Sequence, residues 1–334
     1  MIEEVVVRQA KYEDLEKVQN FLSKEWPLNR EYYEHFHVID GEFMFVIGEG
    51  KISKKIYGTC GLIVTNREKE KDYQLVLLLV DKNNHRFNSI SMIKYIAENM
   101  QAKTISSCGV RPNALIIYEL LGYETGVMDH FYKLADRERY NVAVVQEKKI
   151  IKSRSGCRKL KYVKTFDELE RLYDFTQNKN ANPYKDAWCI KHRYFDVPHH
   201  KYKVYIIENE GEKNRSLIVM REVQVKGNKI CKIVDFIGED SDMSYIGNEL
   251  DKLMNENNYE YIDLYSVGIS KEIMEQAGFV LRTNEDKNII PQLFEPFICK
   301  NKDIYYFTSN SERFHIYRGD CDQDRAVIGF ALNI

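Results

Sequence analysis

The chain has 334 residues, of which 44% are hydrophobic and 30% charged, and its net charge is −2. This composition is typical of a globular protein, and the length favours two domains over one. The near-neutral charge argues against a generic nucleic-acid binder, which would carry a basic surplus.

Membrane and metal classes are also disfavoured. The longest aliphatic run, Leu75 to Val80, is far shorter than a membrane span, and the acidic start of the chain lacks the basic residues of a signal peptide. The seven cysteines are scattered singly, and the adjacent His199 and His200 have no third ligand at a suitable spacing. We therefore expect a cytoplasmic protein with reduced thiols, no membrane span and no metal.

The first half of the chain predicts the order β-α-β-β-β-α-β-α-β. Gln74 to Val80 is almost continuously apolar, as in a strand buried on both faces, and Gly122 is a plausible helix C-terminal cap. The predicted strands are 5–8, 43–48, 56–64, 74–80, 104–108 and the closing strand 130–134, with helices opening at Tyr12, at Asn88 or Ser89, and at Asn113.

The second half repeats this plan. Its predicted strands are 161–163, 202–208, 216–225, 231–237, 261–266 and the closing strand 304–308, with helices from 166, over 245–255 and over 270–276. The sharpest match aligns Leu120-Leu121-Gly122-Tyr123 with Gln276-Ala277-Gly278-Phe279, about 155 residues later. Such a period indicates a tandem domain duplication, although a chance likeness of two α/β domains is the alternative.

The sequence thus predicts an α/β (α+β) protein of two tandem domains, residues 1–147 and 158–334. Each is expected to be a mixed, mostly antiparallel sheet flanked by helices. The basic, Ser- and Gly-containing stretch 148–157 is expected to form the seam between them.

Two features of the first half carry a resemblance to a known family. One is the buried strand 74–80 with the loop and helix after it, and the other is the set Ala114, Tyr118, Gly122 and Tyr123. These resemble the GNAT acetyltransferase superfamily, in which backbone N–H groups at the start of that helix hold the pyrophosphate of coenzyme A. The resemblance implies acyl-CoA as co-substrate, held by Leu79, Val80, His85, Arg86, Asn88, Ser89, Ile90 and Asn113.

The two copies depart from the family pattern in different ways. The loop around Arg86 has no glycine that would let the backbone approach a phosphate closely, so an ordinary strand-to-helix loop is the alternative. The second copy's loop, 238–242, carries three carboxylates that would repel a pyrophosphate, and Met274 stands where the first copy has Tyr118. We therefore expect the coenzyme in the first half and a different ligand in the second.

Further segments resemble a narrower group, the two-domain GNAT-like N-acyltransferases of surface-polysaccharide pathways, of the anthrose-pathway type. These segments are 188–205, 234–238, 261–265, 290–297 and 319–325. The resemblance implies acyl transfer from acyl-CoA to the amino group of a UDP- or dTDP-linked amino sugar, by direct attack in a ternary complex. The expected substrate-binding residues are Tyr265, His200, Arg318 and Arg325, the two arginines near the diphosphate.

Three catalytic residues are expected. In many family members the residue matched by Tyr118 protonates the leaving thiolate, and a backbone N–H near Leu79 or Val80 would polarise the thioester carbonyl. Asp81 and Glu295 are placed to contact the substrate amine, although a capping role for Asp81 and a backbone-acceptor role for Glu295 are the alternatives.

Two other functions stay open at this point. Aminoacyl transfer to a peptidoglycan precursor also uses paired GNAT-like domains, but the long charged helical arm of those proteins is missing from the sequence. A non-catalytic binding module would explain the glycine-poor loop. The acidic motif Asp320, Asp322 and Asp324 has partial calcium-loop spacing without the required glycine and glutamate, and predicts a surface turn or lid.

Overall fold

The computed structural model describes residues 3–81, 89–153, 158–208, 216–294 and 296–324. The helices in these ranges are α1 (Leu15–Leu22), α2 (Arg30–His37), α3 (Ser89–Asn99), α4 (Leu115–Leu120), α5 (Phe166–Leu172), α6 (Ala187–Tyr194), α7 (Gly247–Asn257) and α8 (Lys271–Gln276). The strands are β1 (Val5–Gln9), β2 (Val38–Ile39), β3 (Glu42–Phe43), β4 (Phe45–Gly50), β5 (Ile56–Val64), β6 (Lys71–Val80), β7 (Ala102–Val110), β8 (Glu124–Val127), β9 (Asp129–Leu134), β10 (Leu160–Val163), β11 (Lys203–Ile207), β12 (Ser216–Val225), β13 (Asn228–Ile237), β14 (Tyr259–Val267), β15 (Val280–Leu281), β16 (Leu293–Phe294), β17 (Phe297–Ile298), β18 (Tyr305–Thr308) and β19 (Ile316–Tyr317).

Two large sheets form the framework. The first has the order β1-β4-β5-β6-β7-β18-β8, and the second has the order β10-β11-β12-β13-β14-β9-β15, with β19 added on β14. In each sheet only the fourth and fifth strands of this order are parallel, β6 with β7 and β13 with β14. The predicted fold class, two tandem mixed and mostly antiparallel sheets flanked by helices, is confirmed.

The two sheets exchange their closing strands. β9 belongs to the first half of the sequence but pairs between β14 and β15 of the second sheet. β18 belongs to the second half but pairs between β7 and β8 of the first sheet. The expectation that each strand closes the sheet of its own half is wrong, because a sequence pattern identifies a strand but not its partner. The division into residues 1–147 and 158–334 stays a prediction, with one strand crossing it in each direction.

The internal repeat is visible in the backbone. Helices α4 and α8 both end at a glycine with positive φ, 79° at Gly122 and 86° at Gly278. In both copies the next N–H, of Tyr123 or Phe279, donates back to the carbonyl of Tyr118 or Met274 at 3.0 Å. This is the Schellman C-cap, for which glycine is preferred at the left-handed position.

A shared apolar core joins the sheets. Phe45 and Ile47 of the first sheet and Val204 and Val219 of the second belong to one buried cluster. Helices α3 and α4 cover the opposite face of the first sheet, and α7 and α8 cover the opposite face of the second. No helix within the described ranges is long and apolar enough to cross a membrane.

Helices α2 and α6 have no counterpart in the sequence-based prediction. Each begins at a side-chain cap, since Asn29 accepts from the N–H of Tyr32 at 2.9 Å and Asp186 from that of Cys189 at 2.8 Å. The two helices meet where the ring of His35 stacks on that of His192, with centroids 4.1 Å apart. Their aromatic-rich sequences hide the helical periodicity.

Candidate active site

The first sheet opens between its two parallel strands. β6 and β7 pair only through residues 71–74 and 102–106 and then diverge. A β-bulge lies on β6 in the diverging part, where the register with β5 leaves Cys60 opposite both Leu77 and Leu78, and Leu77 has a φ of 50°. We call the wedge between residues 75–80 and 107–110 the first cleft.

The mouth of the first cleft gathers several predicted coenzyme-binding residues. Leu79 and Val80 are half-buried at the end of β6, and Ser89 and Ile90 are half-buried in the first turn of α3. Asn113 is exposed in the turn that follows β7. Because β6 and β7 are parallel, their ends lie at one edge of the sheet beside the start of α3, where a helix favours an anion. His85, Arg86 and Asn88 lie outside the described residues.

Tyr118 packs against the helix-covered face of the first sheet. Its side chain is 4% exposed, and its ring stacks on Phe307 of β18 with centroids 3.6 Å apart. Burial, and then the nearby Cys60 thiol, raises the pKa of the Tyr118 hydroxyl, which stays protonated near neutral pH. Cys60 lies opposite the bulge of β6, so Tyr118 and the bulge have this thiol as a common neighbour.

Of the two predicted catalytic carboxylates, Asp81 lies within the described residues and Glu295 does not. Asp81 directly follows β6, its N–H donates to the carbonyl of Tyr57 at 2.8 Å, and its carboxylate lies 3.3 Å from the Lys55 ammonium. Glu295 lies outside the described residues. No group of three or more His, Cys, Asp or Glu side chains in the described ranges is arranged to hold a metal ion.

The corresponding wedge of the second sheet is filled by the chain itself. This second cleft lies between the ends of β13 and β14, where Val234 forms a bulge in register with β12. β19 pairs with Ser266 and Val267 of β14, and the N–H of Gly319 donates to the carbonyl of Val234 at 2.6 Å. The backbone groups of β13 and β14 that would otherwise line this cleft, at Val234 and at Ser266 and Val267, are therefore already hydrogen-bonded.

The acidic loop after β13 is also satisfied internally. Asp240 lies 3.0 Å from Nε2 of His315, and Asp242 accepts from the hydroxyl of Ser216 at 2.6 Å and from the guanidinium of Arg158. These ion pairs and hydrogen bonds hold the carboxylates in the place that a pyrophosphate would take in the first copy.

The segment 320–324 continues from the second cleft into the first. The amide of Gln74 donates to Asp320 at 2.8 Å and accepts from the N–H of Cys321 at 2.7 Å, and the N–H of Cys108 donates to the Cys321 sulfur at 3.2 Å. Asp320 and Asp324 are both buried. The predicted surface turn or lid is therefore wrong, because buried partners for these carboxylates come from elements distant in sequence.

A buried charge cluster fixes this segment. The Lys185 ammonium lies 2.7 Å from Asp235 on β13 and 2.8 Å from Asp320, and the hydroxyl of Tyr194 donates to Asp235. Burial raises the pKa of Asp235 to about 6, Lys185 opposes that rise, and Asp320 adds to it. The cluster ties α6 and its preceding loop to β13 and to the segment that enters the first cleft.

The predicted substrate-binding residues lie on the second-sheet side. Arg318 is 7% exposed, its Nη1 donates weakly to Gln323 at 3.4 Å, and its Nε has no hydrogen-bond partner within the described ranges. Tyr265 is buried and its hydroxyl donates to the carbonyl of Lys302 at 2.8 Å. His200 packs edge-on against Tyr202, next to Asp324. Arg325 lies outside the described residues.

Comparison with known structures identifies the architecture. A GCN5-related N-acetyltransferase from Anabaena variabilis superposes with a TM-score of 0.57 at 12% identity, over 91% of this chain and 72% of the other. The chain has the GNAT fold. A probable N-acyltransferase from Enterococcus faecalis superposes with a TM-score of 0.54 at 11% identity, over the same shares of the two chains. The sequence matches no protein-family model, and no curated protein matches it significantly.

Several residues of this GNAT-fold site were not predicted from the sequence. Gln74, Cys321 and Gln323 line or fill the first cleft, and Lys185 holds the segment that does so. The segments 234–238 and 319–325 were singled out for their resemblance, but nothing local indicated that they would meet. They meet because β19 pairs with β14 next to β13 and because Lys185 binds both Asp235 and Asp320.

Proposed function

We propose that this protein is an acyl-CoA-dependent N-acyltransferase whose donor site is the first cleft. The observation that carries the proposal is the contrast between the clefts: the first is half-exposed at the α3 end, and the second is closed by β19 and Gly319. The pantetheine arm of coenzyme A carries amide groups that can hydrogen-bond to a free strand edge, with its pyrophosphate at a helix N-terminus. The GNAT fold supports the same assignment.

The chemistry follows from the geometry of the cleft. A neutral amine attacks the thioester carbonyl carbon, whose oxygen is polarised by a backbone N–H near the β6 bulge. The C–S bond then breaks, and the thiolate takes a proton from Tyr118, whose raised pKa keeps the hydroxyl protonated. The nitrogen loses its surplus proton to water, and water in turn reprotonates the Tyr118 oxygen. We place Asp81 beside the incoming amine, and we place Glu295 there on the sequence argument alone.

We propose a nucleotide-linked amino sugar, carrying UDP or dTDP, as the acceptor. The support is the positive charge around the buried Arg318 guanidinium, part of which the buried Asp324 offsets. Burial, and then Arg318, lowers the pKa of the Lys302 ammonium, and burial and Arg318 both lower that of Lys232, although Asp263 opposes the change. A buried guanidinium with an unpaired N–H is suited to a diphosphate. Tyr265 and His200 are assigned to the same acceptor site.

The free thiols bear on where this reaction takes place. The six cysteines within the described ranges are unpaired, and five of them are buried. Small-molecule substrates and reduced cysteines fit the cytoplasm, where acyl-CoA donors are available.

The test is acyl transfer itself. The protein is screened by thermal shift with acyl-CoAs and with UDP- and dTDP-linked amino sugars, because a ligand that binds the native state raises its apparent stability. The best pair is then incubated, and the acylated sugar is detected by mass spectrometry. Arg318→Gln should weaken the sugar's effect much more than that of acyl-CoA, since its contact with Gln323 of the first cleft is a weak one at 3.4 Å, with the surface variant Arg137→Gln as control. Transfer to an aminoacyl or peptide acceptor only would contradict the proposed substrate, and the lack of any acyl-CoA effect would contradict the proposed function.

A further inference from the structure

We infer that Cys321 and Gln323 form the inner wall of the first cleft and restrict its acyl group to a short chain. The inference rests on the proposed function, since it requires an acyl-CoA whose thioester lies near the β6 bulge. It concerns the part of the cleft between the bulge and the last paired residues, Gln74 and Ser106.

The wall can be located by register. Counted along the strands from the Gln74–Ser106 pair, Cys108 stands at the height of Val76, and Gly109 at that of Leu77. The sulfur of Cys321 accepts a hydrogen bond from the N–H of Cys108 at 3.2 Å, so it lies in the cleft at the level of Val76. The side-chain amide of Gln323 lies where a Cβ atom on Gly109 would be, so it lies at the level of Leu77.

The length of the cleft that Cys321 and Gln323 block can be estimated from the strand geometry. The stretch from Gln74 to Leu77 covers three strand residues, or about 10 Å at roughly 3.3 Å per residue. An acyl chain that points from the bulge towards the paired end of the strands meets the thiol of Cys321 within this distance. Along β6, Leu75, Val76 and Leu77 are buried, whereas Leu78, Leu79 and Val80 are half-exposed; on β7, Cys108 is buried, Gly109 is exposed and Val110 is half-buried.

The wall is held firmly. Cys321 is 1% exposed, its N–H is bound by the side chain of Gln74, and the preceding Asp320 is bound by Gln74 and Lys185. The hydroxyl of Ser107 donates to the carbonyl of Leu75 at 2.6 Å and closes the vertex beneath it. A longer acyl chain would have to break several buried hydrogen bonds to displace the segment.

The experiment compares dissociation constants for acetyl-CoA, butyryl-CoA and hexanoyl-CoA, measured by calorimetry on the full chain. Cys321 has a φ of 57°, a value that glycine adopts without strain, so Cys321→Gly removes the thiol without a conformational penalty. Gln323→Ala removes the second part of the wall without touching the backbone. Cys231→Ala, a buried thiol on the helix-covered face of the second sheet, is the matched control.

We expect the wild type to prefer acetyl-CoA over hexanoyl-CoA, and each wall variant to lower that preference by about tenfold, a typical effect of pocket size on selectivity. The control should keep the wild-type ratio. A wild type that binds both equally, or folded wall variants with an unchanged ratio, would overturn this inference alone. A wild type that binds no acyl-CoA would contradict the proposed function, and this inference with it.

Discussion

The ring of Phe307 lies flat on that of Tyr118, with centroids 3.6 Å apart and an interplanar angle of 14°. Phe307 belongs to β18, the strand that the second half of the chain gives to the first sheet. The candidate catalytic tyrosine therefore rests on a surface that its own half does not supply. Strand exchange and the candidate site are thus linked at this stacked pair.

Replacing Tyr118 with phenylalanine should lower kcat by up to about 100-fold and leave KM for acyl-CoA nearly unchanged, because the hydroxyl acts mainly in the transition state. A smaller loss is consistent with the same role, since a thiolate is already a tolerable leaving group. Steady-state kinetics of Tyr118→Phe and of the neighbouring control Tyr123→Phe measure the effect. A wild-type kcat in Tyr118→Phe would leave this residue with a packing role only.

The exchanged strands predict that the two halves do not fold independently. A fragment of residues 1–147 lacks the strand between β7 and β8, and a fragment of 158–334 lacks the strand between β14 and β15. Each would expose apolar surface and unpaired strand edges. Each fragment alone should aggregate or show no cooperative melting, whereas co-expressed fragments should form a complex that melts cooperatively. Separate fragments with sharp thermal transitions would show that the exchange is dispensable.

Sequence reasoning recovered the local elements well but not their partners. The apolar run before Val80 and the glycine caps at Gly122 and Gly278 have local causes, and they are where the patterns predicted them. The partners of β9 and β18 depend on contacts across more than 120 residues, which no local pattern encodes. Asp320 looked like a surface residue because its partners, Lys185 and Gln74, lie far away in the sequence.

The buried lysine predicts a large stability effect. Lys185→Met removes the cation between Asp235 and Asp320 and leaves two carboxylates buried without their counter-ion. Breaking a buried pair in this way typically costs about 3–5 kcal/mol. Urea unfolding should show this loss, whereas Lys51→Met, which breaks the exposed pair with Glu4, should change stability by no more than about 1 kcal/mol. Equal losses in both variants would contradict the role assigned to the cluster.

The stacked histidines predict acid sensitivity. Burial, followed by the charges of His192 and Arg193, lowers the pKa of His35 from 6.5 to about 3. As pH falls from about 6.5 towards 3, the unfolded chain takes up a proton that the folded chain cannot, so the free energy of unfolding decreases. His35→Phe keeps a ring in the stack but does not titrate. The free energy of unfolding of His35→Phe, minus that of the wild type, should therefore be larger at pH 5 than at pH 8. The expected increase is about 1 kcal/mol after allowance for the partial exposure of His35. Parallel pH profiles of the two proteins would refute this account of the histidine pair.

The most direct test of the central claim is a calorimetric titration with acetyl-CoA on matched variants of the two clefts. Val110 ends β7 at the first cleft and Val267 ends β14 at the second, and both are half-buried at the last position of nine-residue strands. Tryptophan at Val110 should block the mouth of the first cleft. We predict one binding site per wild-type chain, binding reduced at least about tenfold in Val110→Trp, and wild-type binding in folded Val267→Trp. Two sites per chain, or binding lost in Val267→Trp and kept in Val110→Trp, would contradict the assignment of the donor site to the first cleft.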